Sequence, residues 1–224
     1  MKNSLIFNAA VGPGQDHYLK GQSRLMTSLA NVNYQGVTIS FDTWPDPNFD
    51  QTNPYTIKAA AFHHILKLNH PRYLVWMDSS AVVLREPTPL FERIRKRGYY
   101  LASSGYSAAQ TCTDIQLGVA GYTRTQAESI PDTATGCIGI DTKNSIAMKF
   151  LKTWIEWAKL GHFSGSRLHD INDSSDPRFL FGRQDQSAAT LIAYSLGMTL
   201  DNLGGLTAYH PAPPSSIMEY KGIQ

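Results

Sequence analysis

Two hydrophobic patterns alternate along the chain: short unbroken apolar runs, and longer stretches where apolar residues return every three or four positions. Residues 4–10 (SLIFNAA) read as a buried strand, and a Gly-Pro-Gly turn at 12–14 leads into a helix over about 16–33 that Asp16 can cap. Residues 36–42 predict a second strand, followed by DTWPDPNFDQTNP, a Pro- and Asp-rich connection. Thr52 or Asn53 can cap the next helix, where Pro54 is tolerated and Ile57, Ala61, Ile65 and Leu68 share a face. His70-Pro71 ends it, and 73–84 (YLVWMDSSAVVL) supplies a strand, a corner and a second strand. A helix over 90–97 and a strand over 98–104 follow.

Residues 107–135 are rich in Ser, Thr, Ala and Gln and give mixed signals. A short strand at 136–140 precedes a helix striped by Ile146, Phe150, Trp154 and Trp157 and closed by Gly161. A polar loop then runs to Gly182, long enough to carry function. Leu191, Ile192 and Leu196 belong to a last helix, and LTAYHPAPPSS reads as an extended tail. Strands alternating with helices predict one α/β domain over 1–224, with a mostly parallel sheet and helices on both faces. Ligands of such sheets bind beyond the carboxyl ends of the strands, which puts 8–14, 42–46 and 78–80 on one rim. The ending YKGIQ marks no natural stop, so the domain is also read as a piece of a longer protein.

Composition narrows the partners. The 224 residues are 42% hydrophobic and 17% charged with a net charge of +2, which fits a folded chain without the field that draws proteins to nucleic acid or anionic membranes. No apolar run reaches the roughly 18 residues of a membrane span, and the first residues lack a signal peptide's apolar core. Cys112 and Cys137 form no metal-ligand spacing, so a reducing, cytoplasmic setting is expected, where the sequon at Asn172 has no meaning. The cations of FERIRKRG (Arg93, Arg95, Lys96, Arg97) read as a solvated helix end rather than a binding patch.

A few residues carry chemistry. The turn at 12–14 resembles a phosphate cradle, but His17 stands where a third glycine belongs, so a plain tight turn is preferred even with Asp42 at the next strand end. Lys58 falls in the first turn of its helix, where the dipole disfavours a cation, so an anion nearby would resolve the conflict; a solvated lysine is equally compatible. Asp78 interrupts an apolar run, where a lone buried charge would cost several kcal/mol. At a corner on the sheet rim it can instead hold a divalent cation, with Ser80 as a weaker hydroxyl ligand, or simply cap the turn.

Residues 53–101 resemble the central part of GT-A fold (Rossmann-like) glycosyltransferases, especially those similar to family 8. There a lysine-bearing helix precedes an apolar strand that ends in Asp-x-Asp, with residues like Glu86-Pro87 and Leu90-Phe91 following. The stretch TGCIGIDTKNSIAMKFLKTWIEW at 135–157 is similar to the family's glycine-containing strand bordering the donor sugar, which implies roles for Gly136 and Cys137. FGRQDQSAATLIAYSLG at 181–197 resembles its Asp-Gln element, which implies a catalytic role for Asp185, otherwise a helix cap; His210 resembles a late metal-ligating histidine. Asp141 reads better as a cap, Asp132 and Asp114 are weaker base candidates, and Trp154 and Trp157 are core.

The expected function is transfer of a hexose-type sugar from a nucleoside diphosphate sugar, UDP favoured, to a hydroxyl of a glycan or glycoprotein. Asn8, Ala9, Ala10, Val11 and Asp42 would receive the nucleoside; Ser79, with Lys58, Gly136 and Cys137, would face the rest of the donor. Asp78, Ser80 and His210 would hold Mn²⁺ or Mg²⁺. The chain departs from the resemblance at Ser80, where a second carboxylate belongs. That departure supports a rival, a noncatalytic domain binding a glycan or nucleotide. An aspartate-dependent phosphohydrolase also wants a strand-end Asp but lacks its second acid here.

Overall fold

The computed structural model describes residues 3–12, 14–68, 71–164 and 173–222. Pro13 of the glycine turn, His70 of the helix stop and Asn172 of the sequon lie outside them. In chain order the elements are β1 (Ser4–Ala9), α1 (Gln15–Asn31), β2 (Val37–Phe41), α2 (Ile57–Lys67), β3 (Tyr73–Met77), β4 (Ala81–Val83), α3 (Thr88–Arg97) and β5 (Tyr99–Ser107). Then come α4 (Ala108–Thr111), α5 (Asp114–Ala120), α6 (Arg124–Ala127), β6 (Pro131–Asp141), α7 (Ser145–Lys159), α8 (Gln184–Ser195), β7 (Thr207–Tyr209) and β8 (Met218–Tyr220).

The central sheet has the order β2-β1-β3-β6-β5. β1 pairs parallel with β2 and β3, while β6 runs antiparallel to both β3 and β5. Four of the five strands therefore point the same way. Alternation along each strand feeds two cores, as the two-residue repeat of a strand demands. Leu5, Phe7, Leu74, Trp76, Ile138 and Ile140 face one core with Phe62, Phe150 and Trp154, and Ile6, Val75, Met77 and Cys137 face the other with Leu25, Leu90 and Ile94. Each fully buried Leu or Phe contributes about 1.5 to 3 kcal/mol, so a strand buried on both faces reads as an unbroken apolar run.

Several expectations change. β6 is much longer than 136–140 because it is clasped between two partners. Residues 107–130 fold into three short helices, each opened by a capping box: Ser107 with Gln110, Thr113 with Gln116, and Thr123 with Gln126. Asp16 lies in the first turn of α1, which Gly14 precedes at φ 78 with no side-chain cap. Asn144, not Asp141, caps α7; Asp141 takes both arms of Arg72 at 2.7 Å. Ile146 and Leu68 are exposed rather than core. The Pro-rich tail returns as a second sheet of order β4-β8-β7. Arg93 and Arg97 both pair with Asp201, which ties down the basic end of α3.

Candidate active site

β1 and β3 end side by side, and the corner after β3 continues the ladder: the Asp78 amide donates to the Gly136 carbonyl at 2.8 Å, and the Ala81 amide donates back to the Asp78 carbonyl at 2.9 Å. Asp78 follows Trp76 by two, so both point to the same side, and the Trp76 indole Nε1 donates to Asp78 Oδ1 at 2.6 Å. The apolar run thus flanks a turn, and the Asp78 side chain stays 31% exposed.

α2 starts opposite this corner. Asn53 accepts the Tyr55 amide at 3.0 Å, Pro54 opens one turn of 3-10 helix, and Lys58 follows in the first turn of α2. Its ammonium lies 3.3 Å from Asp78 Oδ1 and 3.0 Å from Asp185 Oδ2, and it donates to the Thr135 hydroxyl at 3.2 Å. The Thr135 hydroxyl in turn donates to Asp185 Oδ2 at 3.0 Å. The cation that the helix dipole disfavours is thereby held by two carboxylates. Burial works against its charge, but Asp185 and Asp78 outweigh burial and push the pKa up to about 12.

Asp185 enters from the first turn of α8. The residue before it, Gln184, has φ 24, a left-handed backbone that non-glycine residues rarely adopt, and its carbonyl is held by Gln116 Nε2 at 2.8 Å. The Trp154 indole donates to the Asp185 carbonyl at 2.9 Å, so a tryptophan read as core is core and also fixes the site. Gln186, next along, donates through Nε2 at 2.7 Å to the buried carboxylate of Asp132. Asp132 also accepts hydroxyls from Ser104 at 2.5 Å, Thr111 at 3.0 Å and Thr190 at 2.7 Å; burial raises its pKa while these donors oppose the rise.

Lys58, Asp78, Thr135, Asp185 and Gln186 line one cavity of about 880 Å³, within the range of small-molecule sites. Of the residues picked from sequence, Ala9, Val11, Lys58, Asp78, Ser79, Ser80, Gly136 and Asp185 form its walls. Gly136 is required there: a Cβ would stand 2.4 Å from the ring of Tyr220. Tyr18, Tyr55, Trp76, Thr135, Arg183, Gln186, Tyr209 and Tyr220 line it as well; sequence reasoning gave none of them a site role of its own, although Thr135 and Gln186 fall in the stretches that carry the resemblance.

Other candidates stand elsewhere. Asn8 and Ala10 lie beneath the wall: Asn8 Nδ2 donates to the Met77 carbonyl, and Asn8 Oδ1 accepts Gln22 at 3.1 Å and Ser79 at 3.2 Å. Cys137 points into the opposite core, because one step along β6 reverses the side chain. Asp42 is exposed outside the cavity, its carbonyl taken by Gln15. His210 also lies outside, with Nδ1 2.9 Å from Glu219 Oε2. Asp114 pairs with Arg124 rather than facing the cavity. Both cysteines are free and buried.

As for a metal, the cavity holds two carboxylates, Asp78 and Asp185, both paired with Lys58, and of these Asp78 has the adjoining hydroxyls of Ser79 and Ser80. An oxygen-only set of this size suits a hard divalent cation that a diphosphate largely ligates. Among the described residues no three His, Cys, Asp or Glu side chains gather into a cage.

Strand order, the carboxylate corner and the cavity at the strand ends together define the GT-A fold, the α/β class seen in nucleotide-sugar glycosyltransferases. A glycosyltransferase involved in the glycosylation of the major capsid of PBCV-1 matches with TM-score 0.54 at 9% identity, over 97% of this chain and 92% of that one. Mouse xyloside xylosyltransferase 1 matches with TM-score 0.54 at 8% identity, over 98% and 97%. The galactosyltransferase LgtC, in complex with donor and acceptor sugar analogs, matches with TM-score 0.50 at 9% identity, over 97% and 86%. No family model and no curated protein sequence matches. At these identities the likeness is one of fold.

Proposed function

We propose that this protein is a glycosyltransferase that moves a hexose-type sugar from a nucleoside diphosphate sugar, UDP favoured, to a hydroxyl of a glycan or glycoprotein. The observation that carries this is Lys58 joined to both Asp78 and Asp185 inside an 880 Å³ cavity at the strand ends. Ala9, Val11, Tyr18 and Tyr55 give the nucleoside an apolar and aromatic wall. Lys58 stays protonated across the physiological range and supplies a fixed positive charge to the leaving diphosphate. Asp185, held through Thr135, Lys58 and Trp154, orients the acceptor hydroxyl or receives its proton, a step typically worth about 10² to 10⁴ in rate.

Asp78 and Ser80 would hold Mn²⁺ or Mg²⁺, which when bound offsets charge on the diphosphate. His210 lies outside the cavity, and on moving to it would ligate through Nε2 with Nδ1 still on Glu219. Free thiols at Cys112 and Cys137 suit the cytoplasm, and no described helix is long and apolar enough to cross a membrane.

The rival, a noncatalytic glycan- or nucleotide-binding domain, is favoured by Ser80 standing where a second acid would strengthen the metal site. Turnover separates the two. Wild type should release UDP from a UDP-sugar in the presence of Mn²⁺, and Asp185→Asn should bind the donor as wild type does while losing at least about 10²-fold in kcat. Undiminished transfer by Asp185→Asn would remove that residue from the mechanism. Binding without any turnover in wild type would favour the rival.

A further inference from the structure

The cavity wall carries two cations in different states. Lys58 is ion-paired with two carboxylates, whereas the Arg183 guanidinium makes no ion pair and no hydrogen bond among the described residues, although Asp185 is two residues away. Its Nε–H is buried with no acceptor among the described residues. The side chain is not loose: Cζ lies 4.8 Å from the ring centroid of Phe181, and Phe181 meets Tyr106 edge to face at 5.0 Å. The left-handed Gln184 joins this arginine to Asp185, so the two are turned onto one cavity. Neither Phe181 nor Tyr106 lines that cavity, which puts Arg183 at its edge, between the interior and the aromatic pair outside.

A guanidinium held over an aromatic ring and left unpaired presents its two terminal nitrogens as a donor fork for a planar or tetrahedral oxyanion. We propose that Arg183 binds a carboxylate or phosphate on the saccharide that reacts at Asp185, and that this group belongs to the acceptor. The assignment to the acceptor follows from placement: Arg183 stands at the cavity edge two residues from Asp185, the group proposed to meet the acceptor hydroxyl. The proposal rests on the glycosyltransferase function and adds to it a substrate class: acidic sugars.

Isothermal titration of the full chain tests it, with glucuronate, glucose 6-phosphate and glucose as probes, each with and without saturating UDP. Wild type should bind the two acidic sugars at least about tenfold more tightly than glucose, Arg183→Gln should erase that ratio, and Arg183→Lys should keep part of it. The variants are compared only if their melting temperatures match wild type, and the lysine variant serves if the glutamine one does not fold. A ratio near one in wild type, or one that survives Arg183→Gln, overturns the proposal. UDP-glucuronate against UDP-glucose is the second arm: discrimination there that disappears in Arg183→Gln overturns the acceptor assignment and moves the anion to the donor. Failure of UDP to bind counts against the glycosyltransferase function instead, and the titrations without UDP still decide the arginine's role.

Discussion

At the scale of single residues, the site turns on how one ammonium satisfies two carboxylates. Lys58→Met would leave Asp78 and Asp185 to repel each other in a partly enclosed space. We expect a loss of about 1 to 3 kcal/mol in stability, reduced from the fully buried case by solvent at Asp78, together with a fall in kcat of at least about 10²-fold. Chemical denaturation and steady-state kinetics measure both. The folded pKa of Lys58 is raised from 10.5 to about 12, so its contribution is complete below 10.5 and is lost as pH rises through 12. The stability difference between wild type and Lys58→Met should therefore be constant from pH 6 to 9 and shrink above about pH 10.5. Asp78 and Lys58 were visible in the sequence because each breaks a local rule, a charge in an apolar run and a cation at a helix start. Arg183, Thr135 and Tyr220 break none, and only their convergence in space marks them.

Among elements, α8 matters most, since it delivers Asp185. It is fastened by Trp154 from α7, by Gln116 from α5, and by Asp132 from β6 through Gln186 and Thr190. Asp132→Ala would strand the Gln186 amide and three hydroxyls. A destabilisation of about 2 kcal/mol is expected, tempered by the removal of a buried charge. UDP affinity should hold while kcat falls, which titration and kinetics on one preparation distinguish. The region feeding this element, 107–130, was the least legible in sequence, yet its punctuation is regular: SAAQ, TDIQ and TRTQ are three capping boxes in succession. The polar composition that gave mixed signals is the composition of closely spaced helix starts. β6 was read short because its first five residues, PDTAT at 131–135, carry no apolar signal, and its length follows from pairing on both edges.

Over the whole molecule, the alternation of strand and helix was enough to anticipate the sheet and two of the three rim segments, 8–14 and 78–80, whereas 42–46 lies outside the cavity. What it did not contain was the closure. β8 pairs with β4 directly after the Asp78 corner, and it brings Tyr220 against Gly136 across the cavity wall. Contacts between positions 81 and 220 leave no periodicity in a local window, so a Pro-rich tail looked like a loose end. Removing residues 217–224 should abolish nucleotide binding and cost about 3 to 6 kcal/mol, since Ile217 and Met218 are buried and β4 loses its partner. Calorimetry on the shortened chain would show a large drop in melting temperature, and an unchanged one would mean the second sheet is dispensable.

The bond from the Trp76 indole to Asp78 has an optical side. Of the four tryptophans, at 44, 76, 154 and 157, one donates its N–H to the carboxylate expected to meet the ligand, and a second is tied to the backbone of the other acid. Indole emission responds to the charge at its nitrogen, so any cation or diphosphate that draws on Asp78 rewrites the fluorescence of Trp76. The protein is its own titration dye, and Trp76→Phe is the blank.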